Sequence, residues 1–594
     1  IDGPLFQAAN FYKDPVLKRE FLRISSTSSF SYGTWSRTPV EFLILNDPTV
    51  GKEELATLPL TFYQPSPKGA MIARTGWDMG MNSPDVLAYM KISEVNGSNH
   101  NHRDAGNFQI YYKGILASES GYYESYGTSH DANYNKNTIA HNTLLIESEQ
   151  DPNGNQRKPG NLAEPATYEQ WMKNGAYETG EVIGHEFGPN DQQPEYTYIA
   201  GDLAKAYYDN TKEALRSMLF MPLDDTGHPA AFVVFDKITT DRAGYAKKFM
   251  LHMQLEPSVE GNVSRIVNNV DGYNGMLTNQ TLLPANANIE KIGGTDNEFW
   301  MGDRNYALRG AIPDSALEEG WGRIEISPEQ TGTTDYMLNV MYVNDADKDL
   351  ALERAQLIET DSFAGAKIFN RVAMFNKNKA RTKDAVSFTV PGDNAELKVN
   401  VAGLEAGVWS IKVNGTDMGT QVASEDGGII YFTAPAGSYE LTYAGPVFNV
   451  DTLIEAEETT LSSRVTITED ESAGGGKYII CRGEMKDPSK IEKADVTFYF
   501  DAPADGTYAV YAKVIITDGG KDSFYFKFNQ NNWRDVHPGA KGENYVWIKL
   551  GEGILEAGKN TFSWNRREQL AIYDAFFVTD DQSKLPELSV QPEV

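Results

Sequence analysis

The sequence predicts a mostly β protein that ends in a jelly-roll sandwich. Three observations carry this. From about Pro67 the apolar residues fall in short runs or alternations bounded by Gly, Asn or Asp, at 71–74, 86–92, 108–112 and 231–235, the period-two signature of strands. Tyrosine, which favours strands and sugar-binding surfaces, occurs 31 times. The last part of the chain spaces its apolar runs regularly, at 496–500, 507–514, 523–528, 545–550, 561–564 and 570–578, as a jelly roll does.

In chain order, residues 1–25 read as helical. Phe6, Phe11, Val16, Leu17, Phe21 and Leu22 follow a period near 3.6, interrupted at Pro15. A loop rich in Ser, Thr and Tyr and an apolar segment at 40–45 complete a first region, 1–60. Strands then occupy 61–384, with one helix expected at 345–358. A second, small β domain covers 385–447. A connector at 445–451 leads to the jelly roll, 452–580, in which Ala502-Pro503-Ala504-Asp505-Gly506 is a strong strand breaker. The acidic tail beyond Thr579 is expected to be disordered. A length of 594 residues agrees with several domains of roughly 150 residues each.

Composition narrows the function. The net charge of −30 argues against nucleic acid as a partner, because phosphate binding needs basic patches. It also weakens the case for the most densely sulfated sugars, although a local cleft can be positive within an acidic protein. The single cysteine, Cys481, excludes an intrachain disulfide and leaves export open. No run of 18 apolar residues is present, so no membrane span is expected. The start at Ile1-Asp2-Gly3-Pro4, without Met or a signal peptide, reads as a processed or truncated chain.

Of the eight histidines, His100, His102, His130 and His141 fall close together. Histidine is the commonest metal ligand and the usual proton shuttle near neutral pH. In an extended segment His100 and His102 share a face. The strand at 108–112 and its hairpin partner at 114–120 bring Glu119 back toward His102, and His141 opens a further strand. Two imidazoles and a carboxylate from neighbouring strands form a zinc site with room for water. The plainer reading is of ordinary hydrogen-bonded histidines on strands.

Three segments carry a family resemblance: Met71-Ile72-Ala73-Arg74-Thr75-Gly76-Trp77-Asp78, Asn99-His100-Asn101-His102-Arg103-Asp104-Ala105-Gly106 running on to Gly114, and Thr138-Ile139-Ala140-His141-Asn142-Thr143-Leu144. They resemble the central β-sandwich of the heparinase II/III-like polysaccharide lyases, which include heparinase II and several alginate lyases. The resemblance implies an N-terminal (α/α) toroid, of which 1–60 is a remnant, then an antiparallel β-sandwich and a smaller C-terminal β unit. It implies that His100 is the catalytic histidine and that His102, Glu119 and His141 bind zinc, although the family often has Asp where Glu119 stands. Asn155-Gln156-Arg157 resembles a Gly-Gln-Arg element, which makes Arg157 a substrate contact. Tyr122 and Tyr126, with Tyr123 and Tyr134, are further cleft candidates. The catalytic Tyr and its Asn or His partner are expected from the toroid, upstream of Ile1 or on a separate chain.

Residues 452–580 resemble calcium-binding jelly-roll carbohydrate-binding modules, through Ile454-Glu455-Ala456-Glu457 on the first strand and Ala571-Ile572-Tyr573-Asp574-Ala575-Phe576 on the last. The resemblance implies a Ca2+ site from Glu455, Glu457 and Asp574. The expected function is therefore β-elimination on a uronate-containing acidic polysaccharide outside the cell or in the periplasm, with alginate ahead of heparin and heparan sulfate. The alternative is a non-catalytic carbohydrate-binding protein with a structural metal.

Overall fold

The computed structural model describes residues 3–27, 44–97, 101–158, 167–223, 227–310, 320–517, 523–539, 542–568 and 571–587. His100, most of the 40–45 segment and the end of the acidic tail lie outside the described residues. The chain divides into two compact units, 1–379 and 380–594.

The first unit opens with two helices, α1 (Gly3–Phe11) and α2 (Pro15–Thr27). The break between them is written locally. Lys13 takes a positive φ of 55°, the Asp14 side chain accepts a hydrogen bond from the Leu17 N–H at 2.8 Å, and Pro15 fills a first-turn position whose missing N–H costs nothing. The helices pack through Phe6 and Phe21, whose ring centroids are 4.6 Å apart.

Five strands follow as an antiparallel meander: β1 (Thr61–Gln64), β2 (Ala70–Arg74), β3 (Leu87–Lys91), β4 (Phe108–Tyr111) and β5 (Ile115–Ala117). Alternation decides which face is which. Ala88, Met90, Phe108 and Ile110 point into the core, while Tyr89, Lys91, Gln109 and Tyr111 line the opposite face and stay partly exposed.

β6 (Leu144–Ile146) joins a four-stranded antiparallel sheet with Lys247–Met253, Gly322–Pro328 and Ala287–Gly293. The unit also contains an eight-stranded antiparallel sheet, with its long central strands Thr211–Pro222, Ala230–Thr240 and Thr334–Asp345. All three sheets bury one core that includes Met90, Phe108, Leu144, Phe220, Phe232, Phe249 and Ile324.

The helix expected at 345–358 is not formed. Asp345 ends a twelve-residue strand, and the chain beyond it runs without helix to the strand Gln356–Glu359. Its backbone is satisfied from afar, since the Gln280 side chain donates to the Glu353 carbonyl and accepts from the Ala355 N–H. Helix-favouring residues such as Leu350, Ala351 and Glu353 were overridden by this tertiary tie.

The second unit contains a four-stranded antiparallel sheet, built from Val386–Val390, Gly437–Gly445, Gly407–Val413 and Thr416–Ala423. Its C-terminal part is a pair of six-stranded sheets closed over a single core of Phe498, Phe562, Trp564, Tyr573 and Phe576. The expected strands are all present there. The free thiol of Cys481 is buried in the same core. Among the described residues no helix is long and apolar enough to cross a membrane.

Candidate active site and metal centre

The site is built on the hairpin β4–β5 and the turns on either side of it. Ahead of β4, the loop Asp104-Ala105-Gly106 is fixed at each residue. Asp104 receives Lys91 Nζ at 2.7 and 2.6 Å. Burial alone would raise the Asp104 carboxyl, but the Lys91 ammonium and His141 outweigh it and hold it below the usual range. Ala105 is gripped by Gln156, whose side chain accepts from its N–H and donates to its carbonyl, and by the Thr143 hydroxyl at 2.6 Å. The Gly106 carbonyl accepts from Arg216 Nη1 at 2.7 Å. Gly106 has a φ of +82°, and a Cβ there would stand 2.4 Å from Leu203 Cδ1, so the position requires glycine.

On this frame His102, Glu119 and His141 converge. One ligand atom from each lies within 4.8 Å of the others, the arrangement a small metal ion needs. His141 Nδ1 is 3.5 Å from Glu119 Oε1, and the two imidazole centroids are 5.0 Å apart. His141 is fully buried, yet neither ring nitrogen has a hydrogen-bond partner. Burial, followed by the neighbouring His141, pushes the His102 pKa down, which favours the neutral imidazole that a ligand needs. Glu119 is held below its ordinary value, because His141 outweighs the effect of burial.

The neighbours orient these three side chains. Asn107 Nδ2 donates to Glu119 Oε1 at 3.0 Å, and Asn107 Oδ1 accepts the Asn142 N–H at 2.9 Å. Asn142 is fully buried. Its amide donates to the carbonyls of Phe108 and Ser118, and its oxygen accepts the His252 N–H at 2.8 Å. His102 is held through its carbonyl by Asn96 Nδ2 at 2.8 Å. Tyr89 stands among Lys91, Asp104 and Glu119, with its hydroxyl pKa raised chiefly by burial.

Other expected residues take different places. His130 is not part of the triad. Its Nδ1 donates to the Tyr306 carbonyl at 2.6 Å and its Nε2 accepts the Tyr122 N–H at 3.1 Å, so both nitrogens are committed. Tyr134 is fully buried against His130 and Phe299 and is a core residue rather than a cleft tyrosine. Arg157 was expected at the substrate. Its guanidinium instead braces backbone, donating to the carbonyls of Lys205, Ala176, Gly175 and Glu178, which leaves it little to offer a sugar. Tyr122 is half-buried. Tyr126 is largely exposed, with Lys136 Nζ 4.3 Å from its ring centroid. Sequence reasoning missed Tyr89, which the alternation of 87–91 marks as outward-facing, and the bracing pair Asn142–His252, which no local pattern signals.

In the second unit, Glu455, Glu457 and Asp574 gather around Gly474 and Gly475. A Cβ at Gly474 would stand 3.2 Å from both Asp574 Oδ2 and Glu455 Oε2, and one at Gly475 3.4 Å from Glu457 Oε1. Glu455 Oε2 and Glu457 Oε2 are buried without a hydrogen-bond partner. Burial, then Asp574 and Glu457, raise the Glu455 pKa. Lys513 Nζ, 2.6 Å from Asp574, supplies one positive charge there.

Two family models match the sequence. The heparinase II/III-like C-terminal domain covers residues 64–341 and the heparinase II C-terminal domain covers residues 357–443. No curated protein matches. Among solved structures, heparinase III is 14% identical with a TM-score of 0.34, over 50% of this chain and 40% of that one. A xanthan lyase from Paenibacillus is 12% identical with a TM-score of 0.34, over 96% of this chain and 56% of that one. A carbohydrate-binding module of a Cellvibrio mixtus lichenase is 15% identical with a TM-score of 0.18, over 22% of this chain and 99% of the module. The chain spans less than half the length of the heparinase III structures it matches. His102, Glu119, His141 and the loop that braces them all lie within the first matched segment, and over residues 64–341 the chain is a heparinase II/III-like C-terminal domain.

Proposed function

We propose that this chain is the β-sandwich part of a polysaccharide lyase that cleaves a uronate-containing acidic polymer by β-elimination. The observation that carries the reading is the buried, unpartnered His141 facing Glu119 and His102 inside the matched family domain. The acidic charge balance puts alginate ahead of heparin and heparan sulfate.

Such a reaction removes the C5 proton of a uronate. It needs the neighbouring carboxylate neutralised, a base for the proton and an acid for the departing O4. His100 is assigned to face the sugar as a proton-transfer residue. Tyr122 and Tyr126 are assigned to the cleft wall. The remaining Tyr and its Asn or His partner are assigned to a helical toroid region, supplied upstream or by a separate chain, of which α1 and α2 are the tail. His102, Glu119 and His141 would hold Zn2+, which supplies a fixed positive charge beside the cleft. The Asn107–Asn142 bridge ties Glu119 to the turn that carries His141.

In the second unit, Glu455, Glu457 and Asp574 would hold Ca2+, and the jelly roll would tether the enzyme to polymer and raise its local concentration. The placement that follows is extracellular or periplasmic in a bacterium.

The test is the ultraviolet absorbance of the unsaturated uronate product. The chain, supplied with the helical region, is mixed with alginate, heparin and heparan sulfate. No rise with any of them overturns the lyase reading and favours a non-catalytic carbohydrate-binding protein. A rise that disappears in His100→Ala, with bound zinc unchanged, supports the assignment of His100. Loss of zinc in that variant would move His100 to the metal.

A further inference from the structure

The outward face of the β1–β5 meander carries an apolar row that the core does not use. Met71, Ala73, Ala88 and Met90 turn inward, so Ile72 and Tyr89 turn outward. The register sets Phe62, Ile72, Tyr89 and Gln109 directly across from one another on β1 to β4. Phe62 is 60% exposed and Ile72 38%. Scattered exposed apolar residues are ordinary, but cross-strand neighbours in register form one continuous strip.

The strip has a direction. β1 is the edge of the sheet, and Tyr89, two strands in, stands among Lys91, Asp104 and Glu119. It therefore runs from the sheet edge to the metal centre. Neighbouring strands lie about 4.8 Å apart, so the row offers one side chain per strand at a repeat comparable with the length of a pyranose unit.

Arg74 sets the charge of the ligand. It lies two residues beyond Ile72 on the same face of β2, with its guanidinium carbon 3.7 Å from the Trp77 ring centroid. Among the described residues no carboxylate pairs with it. Asp85, the charge that acts on it, accepts instead from the Thr75 hydroxyl and the Asp78 N–H. Arg74 is also one wall of a cavity of about 350 Å³ beside α2. The two acids of that cavity are engaged, Asp14 with the Leu17 N–H and Glu20 with Arg19 and Arg23.

An apolar ligand would leave Arg74 and Gln109 unused, and a small free anion would leave the row unused. An acidic sugar chain uses both. Its C–H faces lie on Phe62, Ile72 and Tyr89, its hydroxyls bond to Gln109, and a carboxylate takes the guanidinium.

We propose that an acidic polysaccharide crosses β1, β2 and β3 along Phe62, Ile72 and Tyr89 toward the metal centre, with Arg74 holding a carboxylate of the unit that lies on Ile72. This track rests on the uronate-polymer reading above for its ligand, but not on turnover.

The test is isothermal titration calorimetry of the chain supplied with the helical region, in a His100→Ala background so that ligand is not consumed. Di-, tetra- and hexasaccharides of mannuronate and of unsulfated heparosan are the probes. In at least one series the hexasaccharide should bind roughly tenfold more tightly than the disaccharide. Phe62→Ala, at an exposed position, should remove most of that gain with the urea midpoint unchanged. Arg74→Gln should weaken the hexasaccharide about fivefold or more. The proposal is overturned if neither series gains with length, if the gain survives Phe62→Ala, or if Arg74→Gln binds as tightly as the parent. A lower urea midpoint in Phe62→Ala with binding unchanged also overturns it, and makes the row a packing face for the helical region. Length-dependent binding without any ultraviolet product in the parent sinks the lyase reading alone and leaves the track in place.

Discussion

His141 Nδ1 faces Glu119 Oε1 across 3.5 Å in a spot where the imidazole is wholly removed from water and neither of its nitrogens finds a hydrogen bond. Such a pair is poised for a third party. Zinc at a hundredfold excess over its Kd should stabilise the first unit by about 2.7 kcal/mol through linkage. Differential scanning calorimetry with and without chelator should show that shift in the wild type. In His141→Ala the shift should vanish, and metal analysis should find the zinc content sharply lowered.

Asn142 ties β4, β5 and the Lys247–Met253 strand together through three hydrogen bonds from one buried side chain. Asn142→Ala strands the Phe108 and Ser118 carbonyls and the His252 N–H. At about 1 to 3 kcal/mol for each buried group left unsatisfied, the loss should exceed about 3 kcal/mol. Urea denaturation followed by tryptophan fluorescence measures it, and zinc affinity should fall in the same variant.

Gly106→Ala brings a Cβ against Leu203 and Thr143 in a backbone conformation that L residues avoid. A destabilisation of roughly 2 kcal/mol or more is expected in the same denaturation assay. An unchanged midpoint would mean that the loop ahead of β4 is slack.

The strands were legible because alternation reports burial directly, and 86–92 and 108–112 each place one face in the core. The convergence of His102, Glu119 and His141 was legible because one hairpin and the turns on either side of it carry all three. What could not be read depends on distant partners. His252 is 110 residues from Asn142, and Arg216 reaches Gly106 and Asn142 while paired to buried Asp236. Local composition carries no trace of such ties. The same cause defeated the helix at 345–358, where Gln280 satisfies the backbone, and the carbonyls that Arg157 reaches, on Lys205 and Ala176, also lie outside its local sequence.

Acid should weaken the first unit through Glu325. Burial alone would raise this carboxyl, but Arg323 and Lys248 outweigh it and hold its pKa below 4.5 in the fold. A carboxyl depressed in the folded state stabilises above its unfolded pKa, and that contribution is lost as pH falls through the lower folded value. Between pH 6 and pH 3 the wild type should therefore lose more stability than Glu325→Gln, as read by hydrogen exchange across the strand Gly322–Pro328. Parallel pH profiles in the two proteins would exclude Glu325 as the source.

Calcium offers a check on the second unit. Adding it should raise the melting temperature of that unit by placing a second positive charge, beside that of Lys513, among Glu455, Glu457 and Asp574. Glu457→Gln should erase the effect and leave the first transition in place.

His102, Glu119 and His141 are close in sequence, but the turn that carries His141 is held by His252 and Arg216, which sit on strands much later in the chain. A nascent chain emerging from the ribosome would carry every ligand long before it carries their supports. Metal capture should therefore come late in folding, after the long-range strands have paired, and zinc uptake then serves as a timer for completed assembly rather than as a nucleus for it.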